Sequence, residues 1–319
     1  MTRTTFHPRA LPAATAPAQS NAEPGAHALV CDDGRHLAAT WFEPEGPARA
    51  VALISAATGA PRGFYRAFAQ WLAGRGYAVL TYDYRGIGGS RRGPMRAEPA
   101  SMRDWALLDM SAALAAVEVR RHQAAAPLLP LLLVGHSFGG NCIAFARGVE
   151  QADAMLMVAA QHGEPHLFDG RHRWLAEFYF RALLPAAVAV HGHAPRWASG
   201  GEPLPREVAR DWCRWGLMHG WAYADPQLAA HRQASALVCP VHLWSIDDDR
   251  TYGAPRAVDA LAAQFRNAAV QRHHLHPHEL GVKAIGHFGA FRREPGPALW
   301  QRLLAPIEAA APALRPSLS

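Results

Sequence analysis

The chain has 319 residues, half of them hydrophobic and 18% charged, which suits a globular protein with a sizeable core and excludes a disordered one. Its formal net charge of +6 comes almost wholly from scattered arginines, Lys283 being the single lysine; without a basic run or an aromatic-basic stripe, no nucleic-acid partner is expected. Cys31, Cys142, Cys213 and Cys239 lie far apart with neither CxxC nor metal-ligand spacing, so they read as reduced thiols, with Cys142 and Cys239 as small core residues.

Residues 1–26 are rich in Pro, Ala and Thr. Pro8, Pro12 and Pro17 interrupt any apolar core a signal peptide would need, so a disordered leader is expected. No apolar span reaches the roughly 20 residues that cross a bilayer, and a cytoplasmic location is expected. "HALVC" and "HLAATWF", joined by "DDGR", predict an opening hairpin. "RAVALISAA" is a near-continuous apolar run, the pattern of a strand buried on both faces. In "FYRAFAQWLAGRG", Phe64, Phe68, Trp71 and Leu72 share one helical face. The strand "YAVLTYDY", the turn "RGIGGS" and a helix from about Ser101 to Arg121 follow, with Ser101 and Asp104 spaced like a capping box in which Asp replaces Glu. Then come the strand "PLLPLLLVGH", a helix over "GGNCIAFARGVE", the strands "DAMLMVAA" and "ALVCPVHLWSI", the helix "AVDALAAQF", the strand "AAVQRHHLHP" and a closing helix near Pro297 to Ala309. Eight strands alternating with helices predict an α/β fold with a mostly parallel sheet and helices on both faces.

About seventy residues interrupt that rhythm between the strands ending at Ala160 and beginning at Ala236, far beyond the dozen or so a crossover needs. They hold Trp174, Phe178, Tyr179, Phe180, Trp197, Trp212, Trp215, Trp221 and Tyr223. We therefore expect a core made of residues 27–160 and 236–312, with 161–235 as a helical, aromatic-rich cap inserted after the sixth strand. Most of its aromatics should fill the cap's own core and some should line a cavity beneath.

Gly135-His136-Ser137-Phe138-Gly139 fits G-x-S-x-G between an apolar strand and a helix-like run. So tight a turn strains the backbone of its central residue, and the positions two away must lack side chains. Ser137 is then a candidate nucleophile, thrust out at the strand's carboxyl end with helix amides aimed at the same point. A serine hydroxyl needs a base, and the base needs a third group to fix its tautomer. Downstream, Asp247, Asp248 and Asp249 follow the strand ending near Ser245, where loop acids face the serine's rim. Asp248 is favoured, with Asp249 the rival. Among 18 histidines, His287 stands out in the glycine-flanked "AIGHFGAF" after the last strand. His136, beside the serine, should point away. The oxyanion donors are expected to be the N–H of Phe138 and that of Ala57 in "SAATGAPRGFY", with Thr58 the alternative.

With "GHSFGG", "TYDYRGIGGS" and "GHFGAF" in this order, residues from about 28 to 310 resemble the α/β-hydrolase superfamily. They are similar in particular to bacterial serine hydrolases of the serine aminopeptidase and esterase type that carry an "ATG…FY" loop and "DYRGIG". Two features depart from that pattern: Ser55-Ala56 replaces the usual His-Gly of the oxyanion loop, and "DDDRTYGAP" is longer than the usual acid loop. Asp83, Arg85 and Gly86 belong to turn architecture. The expected activity is hydrolysis of a carboxylic ester or thioester through an acyl-serine, with Ser137 attacking, His287 as base and Asp248 orienting it. No metal or organic cofactor is expected, and the substrate would be a small molecule with a hydrophobic acyl or aromatic group. The alternatives are acyl transfer by the same triad, or a non-catalytic binding protein on the same fold.

Overall fold

Residues 131–136, Leu-Leu-Leu-Val-Gly-His, contain nothing that would let a strand face water, and they form the central strand of the molecule. The computed structural model describes residues 25–123 and 128–314. The leader expected over residues 1–26 lies, through residue 24, outside the described residues, and Ala26 already begins a strand. The strands are β1 (Ala26–Val30), β2 (His36–Phe42), β3 (Ala50–Ser55), β4 (Tyr77–Tyr82), β5 (Leu131–His136), β6 (Ala154–Val158), β7 (Val241–Ile246) and β8 (Val270–Leu275). They form one eight-stranded sheet in the order β1-β2-β4-β3-β5-β6-β7-β8. The opening hairpin β1–β2 and the β2–β4 pairing are antiparallel, and all other neighbours are parallel.

Every residue of β3, β4, β5, β6 and β7 is buried. Successive side chains on a strand point to opposite faces, so both faces of these strands are covered. That explains why they read as unbroken apolar runs rather than alternating ones. The edge strand β8, Val-Gln-Arg-His-His-Leu, is only partly buried, with Gln271 and Arg272 exposed; its arginine and histidines discourage pairing with another chain. Ser101 and Asp104 complete the capping box, each side chain accepting from the other's backbone N–H.

Two boundaries differ from the sequence reading. The helix expected over residues 139–150 stops at Cys142, gives way to a 3₁₀ turn over Ile143–Phe145, and ends where Gly148 takes φ 90°. Paired glycines followed by a β-branched residue propagate a helix poorly. The seventh strand is Val241–Ile246, beginning after Pro240, which cannot donate to a ladder, and reaching one residue beyond Ser245.

Between β6 and β7 the chain forms helices at Arg171–Phe178, Leu184–His191, Arg196–Ser199 and Arg206–Gly216. Its aromatics divide between two environments: Phe180 and Trp215 are fully buried, whereas Trp174 and Trp197 are mostly exposed. This insertion is fastened to the core at the loop after β3, where the Glu202 N–H donates to Gly59 O at 2.8 Å. The Glu202 carboxylate accepts from Gly88 N–H in the loop after β4. The strand order reverses at β3, which lies between β4 and β5, and the crevice beyond the carboxyl ends of β3 and β5 is where such sheets bind ligands.

Candidate active site

Ser137 sits immediately past β5 with φ 50° and ψ −119°, a backbone conformation that side-chain-bearing residues rarely adopt. The flanking glycines are there because nothing else fits. A Cβ on Gly139 would lie 2.0 Å from Ser55 O, and one on Gly135 would lie 2.3 Å from the Gly140 Cα. The elbow is therefore wedged between the end of β3 and the first turn of its own helix, with Ser137 N–H held by Val158 O of β6. This strain costs about 1–3 kcal/mol and is sustained by the buried strands around it.

An imidazole shares the cavity with Ser137. His287 Nδ1 donates to Asp249 Oδ2 at 2.6 Å, with both side chains largely buried. A carboxylate on Nδ1 fixes the tautomer whose Nε2 can take a proton. Asp249 is itself held: its Oδ1 accepts from Tyr252 N–H, and a Cβ on Gly253 would lie 2.5 Å from its Oδ2. Burial, with Asp249 next to it, pushes the Tyr252 phenol up to about 12, so its ring packs beside His287 as a neutral group.

Asp248, expected to orient His287, has another partner. Its two carboxylate oxygens accept from the backbone N–H groups of Ile285 and Gly286, at 2.8 and 2.9 Å. The correction comes from the length of β7: the strand runs on to Ile246, Asp247 and Asp248 make the turn, and the first inward-facing acid is Asp249. Asp248 clamps the loop that carries His287, and Asp247 is exposed.

Ala57 also departs from expectation. Its N–H donates to the Tyr65 hydroxyl at 2.9 Å, so it is not aimed at the serine. Residues 57–60 form a turn, Ala60 N–H to Ala57 O, with Gly59 at φ 72°, and this turn presents the next residue, Thr58, to the cavity. Among the described residues no hydrogen bond engages the N–H of Thr58 or of Phe138. Thr58, Ser137, Phe138 and His287 share the wall of one cavity of about 170 Å³. Ser137 Oγ and His287 are not directly hydrogen-bonded in this geometry; such contacts commonly tighten only with substrate in place.

His136 does turn from the cavity, but it is not idle. Fully buried, its Nδ1 accepts from the Tyr65 hydroxyl at 2.7 Å, and its Nε2 donates to the backbone O of His287 at 2.9 Å. Tyr65 accepts from Ala57 and so must donate to His136. Burial, reinforced by nearby His287, holds the His136 imidazole far below its usual pKa and therefore neutral. One chain of bonds thus runs from the loop after β3, through the elbow, to the loop bearing His287. Position next to Ser137 was its only sequence signal. Trp221, singled out in the sequence only as one of the aromatics of residues 161–235, lines the cavity at φ 52° and presses against Gly163, where a Cβ would lie 2.6 Å from its ring.

Asp83 and Arg85 serve the architecture. Asp83 pairs with Arg62 and accepts from Gly89 N–H, while Arg85 pairs with Asp109 and Asp33. The first pair braces the loops after β3 and β4 against each other, and the second ties the loop after β4 to the β1–β2 turn and to the helical stretch after Ser101.

A protein-family profile described as "Serine aminopeptidase, S33" matches residues 46–277, well over half the chain. The chain belongs to this family of α/β hydrolases. No curated protein sequence matched it. Among solved structures it is similar to a soluble variant of monoglyceride lipase from Saccharomyces cerevisiae, with TM-score 0.62, 13% identity, and 93% of this chain and 98% of that one covered. It is also similar to a Staphylococcus aureus protein of unknown function (TM-score 0.55, 13% identity, 90% and 99% covered). A thermophilic esterase from Thermogutta terrifontis matches at TM-score 0.50 and 16% identity, with 90% and 99% covered. At these identities the likeness establishes the fold. As a member of the S33 family the protein is a hydrolase, and among the described residues no helix is long and apolar enough to cross a membrane.

Proposed function

We propose that this hydrolase cleaves a carboxylic ester or thioester through an acyl-serine intermediate. The observation that carries the reading is Ser137 at φ 50°, sharing one cavity with an imidazole whose Nδ1 is already committed to a buried carboxylate. In the first half-reaction the Ser137 oxygen attacks the carbonyl carbon while His287 Nε2 takes the hydroxyl proton. Asp249 stabilises the imidazolium without itself being protonated. The Phe138 and Thr58 N–H groups receive the developing oxyanion, and removing one such donor typically costs 10²–10³ in rate. The tetrahedral intermediate collapses as His287 gives its proton to the leaving oxygen or sulfur. Water, deprotonated by His287, then releases the acid and regenerates Ser137.

The cavity argues for a neutral ester in particular. Phe138, Tyr179, Trp197, Trp212, Trp221 and Phe288 supply aromatic surface, and the remaining lining is small or neutral-polar apart from His287 and Tyr252. A substrate with a free α-ammonium would meet no carboxylate among the described lining residues, which favours an ester over the amino-terminal peptide that the family's description suggests. The lipase and esterase among the structural neighbours support the same direction. We read residues 161–235 as a cap that supplies this aromatic wall.

The test is hydrolysis of p-nitrophenyl esters of increasing acyl length beside aminoacyl p-nitroanilides, each with wild type and Ser137→Ala. Ester turnover that disappears in the alanine variant, together with labelling of Ser137 by a fluorophosphonate, is the expected result. Full ester turnover by Ser137→Ala, or a preference for the anilides, overturns it.

A further inference from the structure

Away from the cavity, the loop after β6 holds a buried carboxylate ringed by imidazoles. Glu164 is only 3% exposed, yet its Oε2 lies 3.4 Å from His166 Nδ1 and 3.1 Å from His219 Nδ1. Its other oxygen, Oε1, lies 3.3 Å from His162 Nδ1. The ester-cleaving chemistry uses none of these residues.

We propose that Glu164, His166 and His219 form a binding site for a single divalent transition-metal ion of the Zn²⁺ class. The first argument is ligand geometry. Two ligand atoms at about 2.0–2.2 Å from one tetrahedral ion stand roughly 3.3–3.5 Å apart. Glu164 Oε2 is at essentially that separation from both imidazole nitrogens, and the three ligand atoms all lie within 4.8 Å of one another. The second is ligand chemistry: two imidazoles and one carboxylate suit a borderline cation, which selects against Ca²⁺ and Mg²⁺ with their preference for all-oxygen shells. Each imidazole can present the Nδ1 lone pair by carrying its proton on Nε2. The third is support around the ligands. His162 on the far oxygen orients Glu164 as outer partners orient metal ligands elsewhere. A hollow of about 130 Å³, also lined by Glu177 and Arg181, adjoins the three ligands and leaves room for a water or anion in the fourth position.

A second cluster, Asp247, His274 and His276, lacks these features. Its carboxylate oxygen is 3.6 and 3.9 Å from the two histidines, and Asp247 is exposed.

The location gives the ion a task. Glu164 and His166 follow β6, whereas His219 ends the turn after the helix Arg206–Gly216 and stands two residues before Trp221. An ion there would fasten the insertion to the sheet at the segment that sets Trp221, whose ring rests on Gly163 next to Glu164. Occupancy would thereby fix one wall of the catalytic cavity.

The experiment is titration of the metal-stripped protein with Co²⁺, read by its ligand-field absorption, and with Zn²⁺ by calorimetry. Wild type, His219→Ala and Glu164→Gln are compared, with His276→Ala as control. His219 is fully accessible at its side chain, so its loss does not threaten folding. The expected result is one ion per chain with an intense tetrahedral Co²⁺ band, a Kd raised at least tenfold by His219→Ala and by Glu164→Gln, and no change in His276→Ala. Absence of one-to-one binding, a weak octahedral spectrum, or affinity lost in His276→Ala but kept in His219→Ala overturns the proposal.

Discussion

Asp249 and Asp248 are neighbours in sequence, carry the same side chain and make short hydrogen bonds to the same loop, yet they should fail in different ways. Asp249 accepts from the imidazole itself at 2.6 Å, whereas Asp248 accepts from two backbone N–H groups just before it. In Asp249→Asn the amide can satisfy His287 only by offering its NH₂ group or a neutral oxygen. Either the tautomer inverts, so that Nε2 carries the proton it should receive, or the imidazolium loses its counter-charge. The corresponding change in a triad of this kind costs about 10⁴ in kcat, or about 5.5 kcal/mol at 1.36 kcal/mol per tenfold. In Asp248→Asn the amide oxygen keeps one of the two N–H donors, and the other N–H faces an NH₂ group that cannot accept from it. A hydrogen bond to a charged group is worth about 1.5–3 kcal/mol, so the loop loosens by at most that much and turnover falls by about ten- to a hundredfold. The assay is kcat/KM on a short p-nitrophenyl ester at pH 8, with urea unfolding of each variant to separate stability from rate. Equal losses in the two variants, or a larger loss in Asp248→Asn at unchanged stability, would refute the assignment of Asp249.

Two further outcomes follow from buried groups. Tyr65→Phe removes the acceptor for Ala57 N–H and the donor to His136 Nδ1 together, leaving two buried polar groups unpaired at about 1–3 kcal/mol each. We expect lower stability by urea unfolding and a fall in kcat larger than the change in KM; wild-type values for both would show that the bond chain is decorative. His242 lies buried on β7 with His273 stacked beside it, and burial followed by His273 brings its pKa down to about 4. A histidine held below its unfolded value contributes stability that is complete above about pH 6.5 and lost as pH falls towards 4. That loss amounts to up to about 3 kcal/mol. His242→Gln should flatten the unfolding free energy between pH 7 and pH 4.5; an unchanged slope would remove His242 as its source.

The sheet was legible because strands covered on both faces have no polar alternation to confuse, and "AVALIS", "YAVLTY" and "AMLMV" announce themselves. The elbow was legible because Gly135 and Gly139 answer a steric demand that only glycine meets. The acid was misplaced by one residue because a strand's last hydrogen bond is not written in its composition: Ser245 and Ile246 suit a strand equally well, and the extra residue rotated Asp249 inward in place of Asp248. Ala57 and Thr58 were separable only by knowing where Tyr65, eight residues on, would put its hydroxyl. Glu164, His166 and His219 converge across more than fifty positions of chain, and no local spacing could have grouped them.

The imidazole of His136 has a bearing on how this protein can change. Residues 161–235 are tied to the rest of the chain by many separate bonds, Tyr223 to Asn141, Arg103 to Asp211 and Glu202 to Gly59 among them, so the loss of any one is shared by the others. The loop after β3, the elbow and the loop bearing His287 are joined differently, because a single neutral ring keeps them in step. A shift in any one of the three is therefore expected to reach the other two through His136.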